Sequence, residues 1–521
     1  MSLSLEGDGE RKMVPAGAHQ VVGSTAPDAI RLGRFVDHKL NAYGGRMAYG
    51  GERHAIIFGP NGSGKGTRLL VPNLLQCTGR SIFVVDPKGE LAAITAPFRR
   101  TLGPVVIINP FGVLAGEDGY EDLSSSGYNP LAQLDPLRPS FNADCALLAD
   151  ALVIVEGKDP HWAQSGRALI AALIMFVVME ARQLLSPEVI ELAGLAERPG
   201  NPPTVPTIAR LRELLCLASE EPAARNNFHG VGIPALALAM MKTALAGLRN
   251  KAAQFTDWTN EIRSIASTAK IQTEAFDDDE IAADLAKDGF HFGELKEVPT
   301  TVYLILPPEM MDRHAKWLRL LISAAFQALM RPRRKGEPRV LFMLDEFAGL
   351  GHMKIIETVW AQVRGYGIQI LPVFQDLTQL KDIYGQRWET FIGMAGATVS
   401  FAPNDLTTAE WLSERAGETT RDVVSTSTSV SENSGTTTSP PKYLIGGGDV
   451  SSNSGKSTST NTNSAPTKTR IIHRHSLFGM REGATINFLA GVSDFVPGYA
   501  PSYWDIGECQ SRARANPYFV D

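Results

Sequence analysis

The sequence lacks any apolar run long enough to cross a membrane. Its longest one, ALIAALIMFVVM at residues 168–179, has only 12 residues, whereas a spanning helix needs about 20. The first residues, MSLSLEGDGERK, contain no apolar region that would suit a signal peptide. These absences predict a soluble chain in which the run at 168–179 is buried in a helical core.

The sequence also has few cysteines and no excess of positive charge. The 4 cysteines are far apart and show no paired spacing for a metal, which favours free thiols in a reduced, cytoplasmic setting. A net charge of −6 argues against a surface coated in basic residues, although nucleic acid held in a local groove or pore stays compatible. With 44% hydrophobic and 20% charged residues, the 521-residue chain is typical of globular proteins, and its length predicts about two to four domains.

Short β-branched runs, separated by loops that contain glycine and proline, occur in two parts of the chain. HAIIF, SIFVV and PVVII lie within residues 54–111, and VYLIL, VLFML, IQILPVF and ATVSF lie within residues 302–401. This pattern is typical of buried parallel strands with helical crossovers, so it predicts an α/β fold with a doubly wound, mainly parallel sheet. Residues 140–295 show helical patterns and no convincing strand, which predicts an inserted all-α domain.

A low-complexity stretch follows the second group of strands. Between residues 425 and 439, 11 of 15 residues are Ser or Thr, and a similar tract covers 451–469. Two interpretations stay open, a disordered linker and a polar hairpin that turns at the glycines 446–448.

The stretch FGPNGSGKGT predicts a phosphate-binding loop, because it lies between a strand and a helix. Its glycines would let backbone N–H groups converge on phosphate oxygens, and Lys65 would reach the β- and γ-phosphates of ATP. The residues expected to contact the nucleotide are Gly59, Pro60, Asn61, Gly62, Ser63, Gly64, Lys65, Gly66 and Thr67.

The loop departs from the usual pattern at Gly66, where a Ser or Thr hydroxyl normally binds Mg²⁺. Thr67 comes one position later, about 100° further around a regular helix. Either Thr67 or water would then complete the Mg²⁺ shell, and both possibilities stay open. Pro72 falls in the same helix and should kink it.

Polar residues follow the later strands. Asp345 comes directly after VLFML, where it would hold Mg²⁺ through water, and Glu346 is the candidate base that orients the attacking water. Gln375 follows IQILPVF, beside the Asp345 strand, and would sense the γ-phosphate. Arg364 ends the helix between them; it either caps that helix or reaches a neighbouring subunit's nucleotide as an arginine finger.

The order of motifs resembles the TraG/TraD-type coupling proteins of type IV secretion and conjugation, over roughly residues 50–416. The stretches that carry the resemblance are GPNGSGKGTRLLVPNLL, SIFVVDPKGEL, GYNPL, DPHW, LDEFAGLGHM and FQDLTQLKDIYG. The resemblance implies a RecA-like P-loop NTPase with an all-α domain, assembled as a homo-hexameric ring that is monomeric when isolated. It also implies that ATP and Mg²⁺ drive relaxase-bound DNA or effector proteins into a secretion channel.

Carried over to this sequence, the resemblance gives each motif a role. Lys65 and its loop bind phosphates, Asp345 and Glu346 form the acidic motif, Gln375 matches the family's glutamine, and Arg364 aligns with the proposed trans arginine. The domains then follow as an N-terminal segment, a nucleotide-binding domain in two parts around the all-α domain, the Ser/Thr-rich linker or hairpin, and returning strands. Their expected limits are 1–45, 46–139 and 296–416, 140–295, 417–470 and 471–521.

One departure from the family is the absence of its N-terminal pair of transmembrane helices. Two explanations stay open: a chain from which the anchor is missing, and a naturally soluble member that relies on a separate membrane partner. The expected location is the cytoplasm or the cytoplasmic face of the bacterial inner membrane. If a native anchor is missing from this chain, the native protein is expected to be integral to that membrane.

The expected partners are DNA, relaxase or relaxosome proteins or effectors, and components of the secretion channel. RPRRKGEPR at 331–339 is the densest basic run, and it is either a solvated loop or a loop that contacts single-stranded DNA without sequence preference. The leading hypothesis is an ATP-driven coupling motor. The alternatives are a nucleotide-gated docking receptor with little turnover and a DNA translocase of the FtsK/HerA sort.

Overall fold

The computed structural model describes residues 26–37, 42–154, 161–195, 203–219, 231–438 and 450–518. The strands in these residues are β1 (Ile30–Asp37), β2 (Ala42–Tyr49), β3 (Ala55–Phe58), β4 (Arg80–Val85), β5 (Val105–Ile108), β6 (Thr301–Leu304), β7 (Arg339–Leu344), β8 (Ile368–Phe374), β9 (Ala397–Ser400), β10 (Glu418–Thr438), β11 (Val450–Arg470), β12 (Ala484–Leu489) and β13 (Val496–Tyr499).

The α-helices in the described residues are α1 (Val71–Gln76), α2 (Glu90–Arg100), α3 (Phe141–Leu152), α4 (His161–Ala181), α5 (Pro187–Leu192), α6 (Ile208–Leu215), α7 (Ile233–Met241), α8 (Ala246–Ala252), α9 (Asn260–Thr273), α10 (Asp279–Asp284), α11 (Met311–Leu329), α12 (Lys354–Gln362), α13 (Leu377–Tyr384), α14 (Trp388–Met394), α15 (Leu406–Ala416), α16 (Arg474–Phe478) and α17 (Gly507–Gln510).

An 11-stranded mixed sheet runs in the order β2-β1-β13-β12-β9-β3-β8-β7-β4-β6-β5. The strands from β9 to β5 in this order pair in parallel, and the remaining pairs, at the β2 side, are antiparallel. Strands β3, β4, β6, β8 and β9 are buried along their whole length, which explains their continuous apolar sequences. The predicted doubly wound, mainly parallel sheet is therefore confirmed.

Strands from both ends of the described chain extend this sheet. β12 pairs with β9, β13 pairs with β12, and β1 joins β13 to β2. Residue 46, the expected start of the nucleotide-binding domain, lies within β2. The sheet is thus continuous from the N-terminal strands, through the returning strands, to the parallel core.

The described residues between β5 and β6 form the helices α3 to α10, as the predicted all-α insertion requires. Helix α4 lies at their centre, where it packs against α3, α6, α8 and α9, and the apolar run at 169–179 is buried. By length and composition alone, α4 is also the one helix in the described ranges that could cross a membrane, although it is mostly buried within the protein. Asp159 and Pro160, the first two residues of the DPHW stretch, lie outside the described residues.

Residues Leu406–Gly479 form a second compact unit, separate from Met1–Asp405 and Met480–Asp521. In this unit β10 and β11 pair along their whole length, from Glu418 opposite Arg470 to Thr438 opposite Val450. Of the two interpretations of the Ser/Thr-rich stretch, the structure has the polar hairpin. Residues 439–449, which include the glycines 446–448 where the turn is predicted, lie outside the described residues.

The helix after the phosphate-binding loop is joined to β1 by a buried side chain. Asn73 Nδ2 donates to the carbonyls of Leu69 and Arg31, both at 2.8 Å, and Asn73 Oδ1 accepts from the Arg31 N–H at 2.8 Å. Because Asn73 is fully buried, these hydrogen bonds replace the water that its amide and the backbone groups would otherwise need.

We expect Asn73→Ala to lower the free energy of unfolding by about 2 to 4 kcal/mol, because it removes three buried hydrogen bonds and leaves a small cavity. Urea denaturation of the variant would measure the loss. Asn142→Ala, at an exposed position on α3, is the control and should change stability by less than about 0.5 kcal/mol. Equal midpoints for wild type and Asn73→Ala would contradict this assignment.

Candidate functional site

The loop after β3 has a backbone that only glycine can adopt at several positions. Gly62 and Gly64 both have a φ of +80°, in the left-handed region. A Cβ at Gly59 would lie 2.7 Å from Ser63 Oγ and 2.9 Å from Phe401 Cδ2, so no larger residue fits there. The loop is therefore built so that successive N–H groups can face one bound anion.

Polar groups line the inside of this loop. The Lys65 ammonium donates to the carbonyls of Gly59 at 2.6 Å and Pro60 at 3.2 Å. The Ser63 hydroxyl is buried and has no hydrogen-bond partner among the described residues. A buried, unpaired hydroxyl within a glycine-lined loop fits a ligand rich in acceptor oxygens, as a polyphosphate is.

Two carboxylates lie at the carboxyl end of β7. Burial, together with the charge of Glu346, raises the pKa of Asp345 to about 6, while the Lys65 ammonium opposes that shift. Desolvation lowers the pKa of Lys65, and both carboxylates oppose it. These mutual effects show that Lys65, Asp345 and Glu346 share one electrostatic environment.

Glu346 has a strained backbone and a polar neighbour. Its φ of +52° is in the left-handed region, which costs a non-glycine residue about 1 to 3 kcal/mol. Gln375 Nε2 donates to Glu346 Oε2 at 3.4 Å, and the Gln375 N–H donates to Gln379 Oε1 at 2.8 Å. The structure thus brings Gln375 to the predicted acidic pair.

The start of the following helix differs from a simple kinked helix. Gly66–Leu70 forms a π-helical turn, in which the Val71 N–H donates to the Gly66 carbonyl, and Pro72 follows within α1. The irregular part of the helix is thus the π-helical turn that precedes Pro72, and Pro72 itself lies in the first turn of α1, where proline is tolerated.

The residues present fit a magnesium ion that is shared with a nucleotide. Asp345 has carboxylate oxygens, which Mg²⁺ prefers as ligands. The Thr67 hydroxyl donates to the Gly64 carbonyl at 3.4 Å, and its role as a ligand stays a prediction. The described residues contain no cluster of three or more His, Cys, Asp and Glu side chains for a metal. Nucleotide-bound Mg²⁺ needs only one or two protein ligands beside phosphates and water, so no larger cluster is required.

Two other predicted elements precede β7 and β8, at the strand ends opposite to Asp345 and Gln375. The backbone of Arg364 belongs to the 3-10 turn Val363–Tyr366 after α12, and its side chain lies outside the described part of the structure. In the basic run at 331–339, Glu337 pairs with Arg331 at 2.8 Å, and its carbonyl accepts from Arg333. The run is therefore partly neutralised within its own loop.

A carboxyl group that the sequence reasoning did not assign lies beside Asp345. Val85 pairs with Leu344 in the parallel register of β4 and β7, so Asp86 and Asp345 follow neighbouring strand ends. Asp86 is buried and accepts the Ala92 N–H at 2.8 Å. The signal in the sequence was DPKGE, which begins directly after the strand SIFVV.

Residues far along the chain support the loop from outside. The Arg68 guanidinium is buried, donates to the Ala500 carbonyl at 3.0 Å and pairs with Glu482. These partners flank β12 and β13. Because they lie more than 400 residues from Arg68 in the sequence, no local pattern could predict these contacts.

A glycine loop with an internal lysine, placed between strand and helix beside an acidic strand end, defines the RecA-like P-loop class. Residues 25–443 match the family model described as "Type IV secretory system Conjugative DNA transfer". The chain belongs to this family, which confirms the resemblance inferred from its motifs.

The chain is similar to several coupling and transfer proteins. It is 27% identical over 422 residues to the conjugal transfer protein TraG of Escherichia coli, covering 77% of this chain and 60% of that one. It is 26% identical over 390 residues to protein VirD4 of Agrobacterium fabrum, covering 74% of this chain and 52% of that one. The chain thus spans between about half and 60% of the length of these relatives.

Solved structures of the bacterial conjugative coupling protein TrwB share the fold. The unbound form gives a TM-score of 0.56 at 16% identity, covering 86% of this chain and 84% of that one. TrwB in complex with ADP and Mg²⁺ gives a TM-score of 0.54 at 15% identity, covering 87% and 85%.

Asp86 should make stability depend on pH. Burial raises the pKa of Asp86 to about 7. The stability that this group contributes is fully present below its unfolded pKa, and it is lost as pH rises through about 7, because the buried carboxyl must then ionise. The amide of Asp86→Asn does not ionise, so between about pH 4 and about pH 8 the unfolding free energy of the variant should rise relative to that of wild type, by at most about 4 kcal/mol. Denaturation across this pH range tests it. Asp118→Asn, at an exposed position, should run parallel to wild type, and a parallel curve for Asp86→Asn would contradict the assignment.

Proposed function

We propose that this protein is an ATP-hydrolysing coupling protein that recruits a relaxase-bound DNA strand or an effector protein and drives it into a type IV secretion channel. One observation supports this proposal most directly: Gln375 donates to Glu346 at the end of β7, and Glu346 and Asp345 share an electrostatic environment with Lys65. Family membership supplies the biological setting.

The site residues divide the work of phosphoanhydride hydrolysis. The loop amides and the Lys65 ammonium bind phosphate oxygens. Glu346 accepts a hydrogen bond from the attacking water, and Gln375 fixes the carboxylate that receives it. Asp345 holds Mg²⁺ together with a second ligand, which is either Thr67 or a water. When it is bound, Mg²⁺ neutralises the charge that develops on the phosphate. The complex of the related TrwB with ADP and Mg²⁺ supports this cofactor pair.

DNA and protein partners follow from the same proposal. Arg334 and Lys335 are exposed on the basic loop, so their charges are free to contact single-stranded DNA phosphates without sequence preference. Relaxosome proteins or effectors dock on the all-α segment. The working form is a homo-hexamer at the cytoplasmic face of the inner membrane, where Arg364 serves the neighbouring subunit's nucleotide. Channel components, and a separate membrane partner if the protein has no anchor of its own, complete the assembly.

Two substitutions separate nucleotide binding from turnover. Glu346→Gln should retain ATP binding but lower DNA-stimulated turnover by about 10²-fold to 10⁴-fold, because the amide cannot accept the water's proton. Lys65→Ala should lose both binding and turnover, since it removes the cation from the phosphate loop. Phosphate release and fluorescent-nucleotide titration, with and without single-stranded DNA, measure both effects.

Normal turnover in Glu346→Gln would refute its role as the base. ATP binding by wild type without DNA-stimulated turnover would favour the docking receptor instead, and pull-down of a relaxase would then test its recruiting function. Turnover that responds to DNA with no relaxase binding would favour a DNA translocase.

The space around Gly66 permits a direct test of the Mg²⁺ shell. A Cβ there would meet nothing within 4 Å, so both Gly66→Ser and Gly66→Ala are sterically acceptable. If water takes the missing hydroxyl's place, as we propose, Gly66→Ser should lower the Mg²⁺ concentration for half-maximal turnover by about tenfold. Gly66→Ala is the matched control and should not. A raised Mg²⁺ requirement in Thr67→Val would instead assign the ligand to Thr67.

A further inference from the structure

Arg319 on α11 is a buried cation whose described partners are all backbone carbonyls. Its Nε donates to Ala151 at 3.2 Å, and its Nη1 donates to Leu350 and His352, both at 2.8 Å. Only 4% of the residue is exposed. Burying a charge without a carboxylate partner is costly, so these three contacts must hold the guanidinium strongly in one arrangement.

The three carbonyls belong to two different parts of the fold. Ala151 lies in the last turn of α3, within the all-α segment. Leu350 ends the 3-10 turn Phe347–Leu350, which begins directly after Glu346, and His352 follows two residues later. Carbonyls at helix ends lack intrahelical donors and carry partial negative charge, so a cation between two such ends satisfies both.

The loop that Arg319 holds contains two backbone positions in the left-handed region. Glu346 has a φ of +52° and Gly351 a φ of +64°. A strained non-glycine residue keeps such a conformation only where its surroundings impose it. Since Arg319 binds the carbonyls on either side of Gly351, it fixes the far end of the segment that sets the Glu346 geometry.

An open pocket lies beside these contacts. It has a volume of about 410 Å³ and lies between α3 and α4 on one side and the 352–358 segment on the other, and Arg319, Ala151 and Met353 are among its lining residues. The guanidinium contacts therefore lie at the edge of this pocket, where they join the two parts of the fold. A shift of the Glu346 loop would reach α3 through these contacts.

We propose that Arg319 is a positioning residue for nucleotide turnover, which holds the Glu346 loop and couples it to the all-α segment. The inference rests on the proposed function, because Glu346 must act on a bound nucleotide for its position to matter. Arg319 itself touches no reacting atom in this proposal.

The chain offers a matched control and a natural reporter. Arg99 is also buried, at 1% exposure. It donates to the carbonyls of Cys77 at 2.8 Å and Arg80 at 3.1 Å and to the Thr301 hydroxyl at 2.7 Å, away from the Glu346 loop. Cys216 is exposed at the end of α6, whereas the other three cysteines are buried. An environment-sensitive fluorophore on Cys216 of the full chain therefore reports on the all-α segment.

The test compares Arg319→Lys with Arg99→Lys in ATP affinity, kcat, thermal stability and the ATP-induced signal at Cys216. Both variants should lose similar stability and bind ATP within about twofold of wild type. Arg319→Lys should lower kcat by about 10-fold to 100-fold and abolish the Cys216 response, whereas Arg99→Lys should keep both. If Arg319→Lys fails to fold, Gly351→Ala should also lower kcat, because its Cβ meets nothing within 4 Å but its φ of +64° strains an alanine.

Each other outcome contradicts a stated part of the inference. An unchanged kcat and Cys216 response in Arg319→Lys, or equal losses in Arg99→Lys, would overturn the positioning role. ATP binding by wild type without any Cys216 response would overturn the coupling to the all-α segment. Failure of wild type to bind ATP would instead overturn the proposed function, and this inference with it.

Discussion

The parallel register of β3, β8, β7 and β4 is the constraint on which the site depends. Phe58 pairs with Phe374, Leu344 with Pro372, and Val85 with Leu344, so these strands end at one edge of the sheet. The phosphate loop, Gln375, the acidic pair and Asp86 each follow one of these ends. A register shift of one residue would move the end of a strand by about 3.3 Å relative to its neighbour, so the hydrogen-bonded register of these strands fixes the positions of the charged groups.

Burial gives this edge an unusual balance of charge. Desolvation raises the pKa of Asp345 to about 6 and of Asp86 to about 7, while it lowers the pKa of Lys65. Desolvation therefore opposes the charged form of all three groups, while the Lys65 ammonium and the Asp345 carboxylate each favour the charged form of the other. Perturbed pKa values of this kind are typical of functional sites.

The sequence was sufficient to predict the strands of the parallel core, because these strands are buried on both faces. Runs such as SIFVV and VLFML have to be strands between helices, and each became one. Strands β1 and β2 were missed because IRLGRFVD and AYGGRMAY interleave glycine and charge, and antiparallel partners distant in sequence support them. Asp86 needed the β4–β7 register, and Arg319 resembled an ordinary arginine on an amphipathic helix. Both depend on tertiary contacts that no local pattern encodes.

The helix that begins at Gly66 depends on contacts with distant strands. Gly66 begins the π-turn, and Pro72, which has no N–H to donate, comes two residues after that turn ends. Intrinsic helix propensity disfavours both residues, so the turn needs support from elsewhere, and Asn73 supplies it by hydrogen bonds to β1. Arg68 adds a second connection, to Ala500 and Glu482. The strands at both ends of the described chain therefore stabilise the helix that follows the phosphate loop.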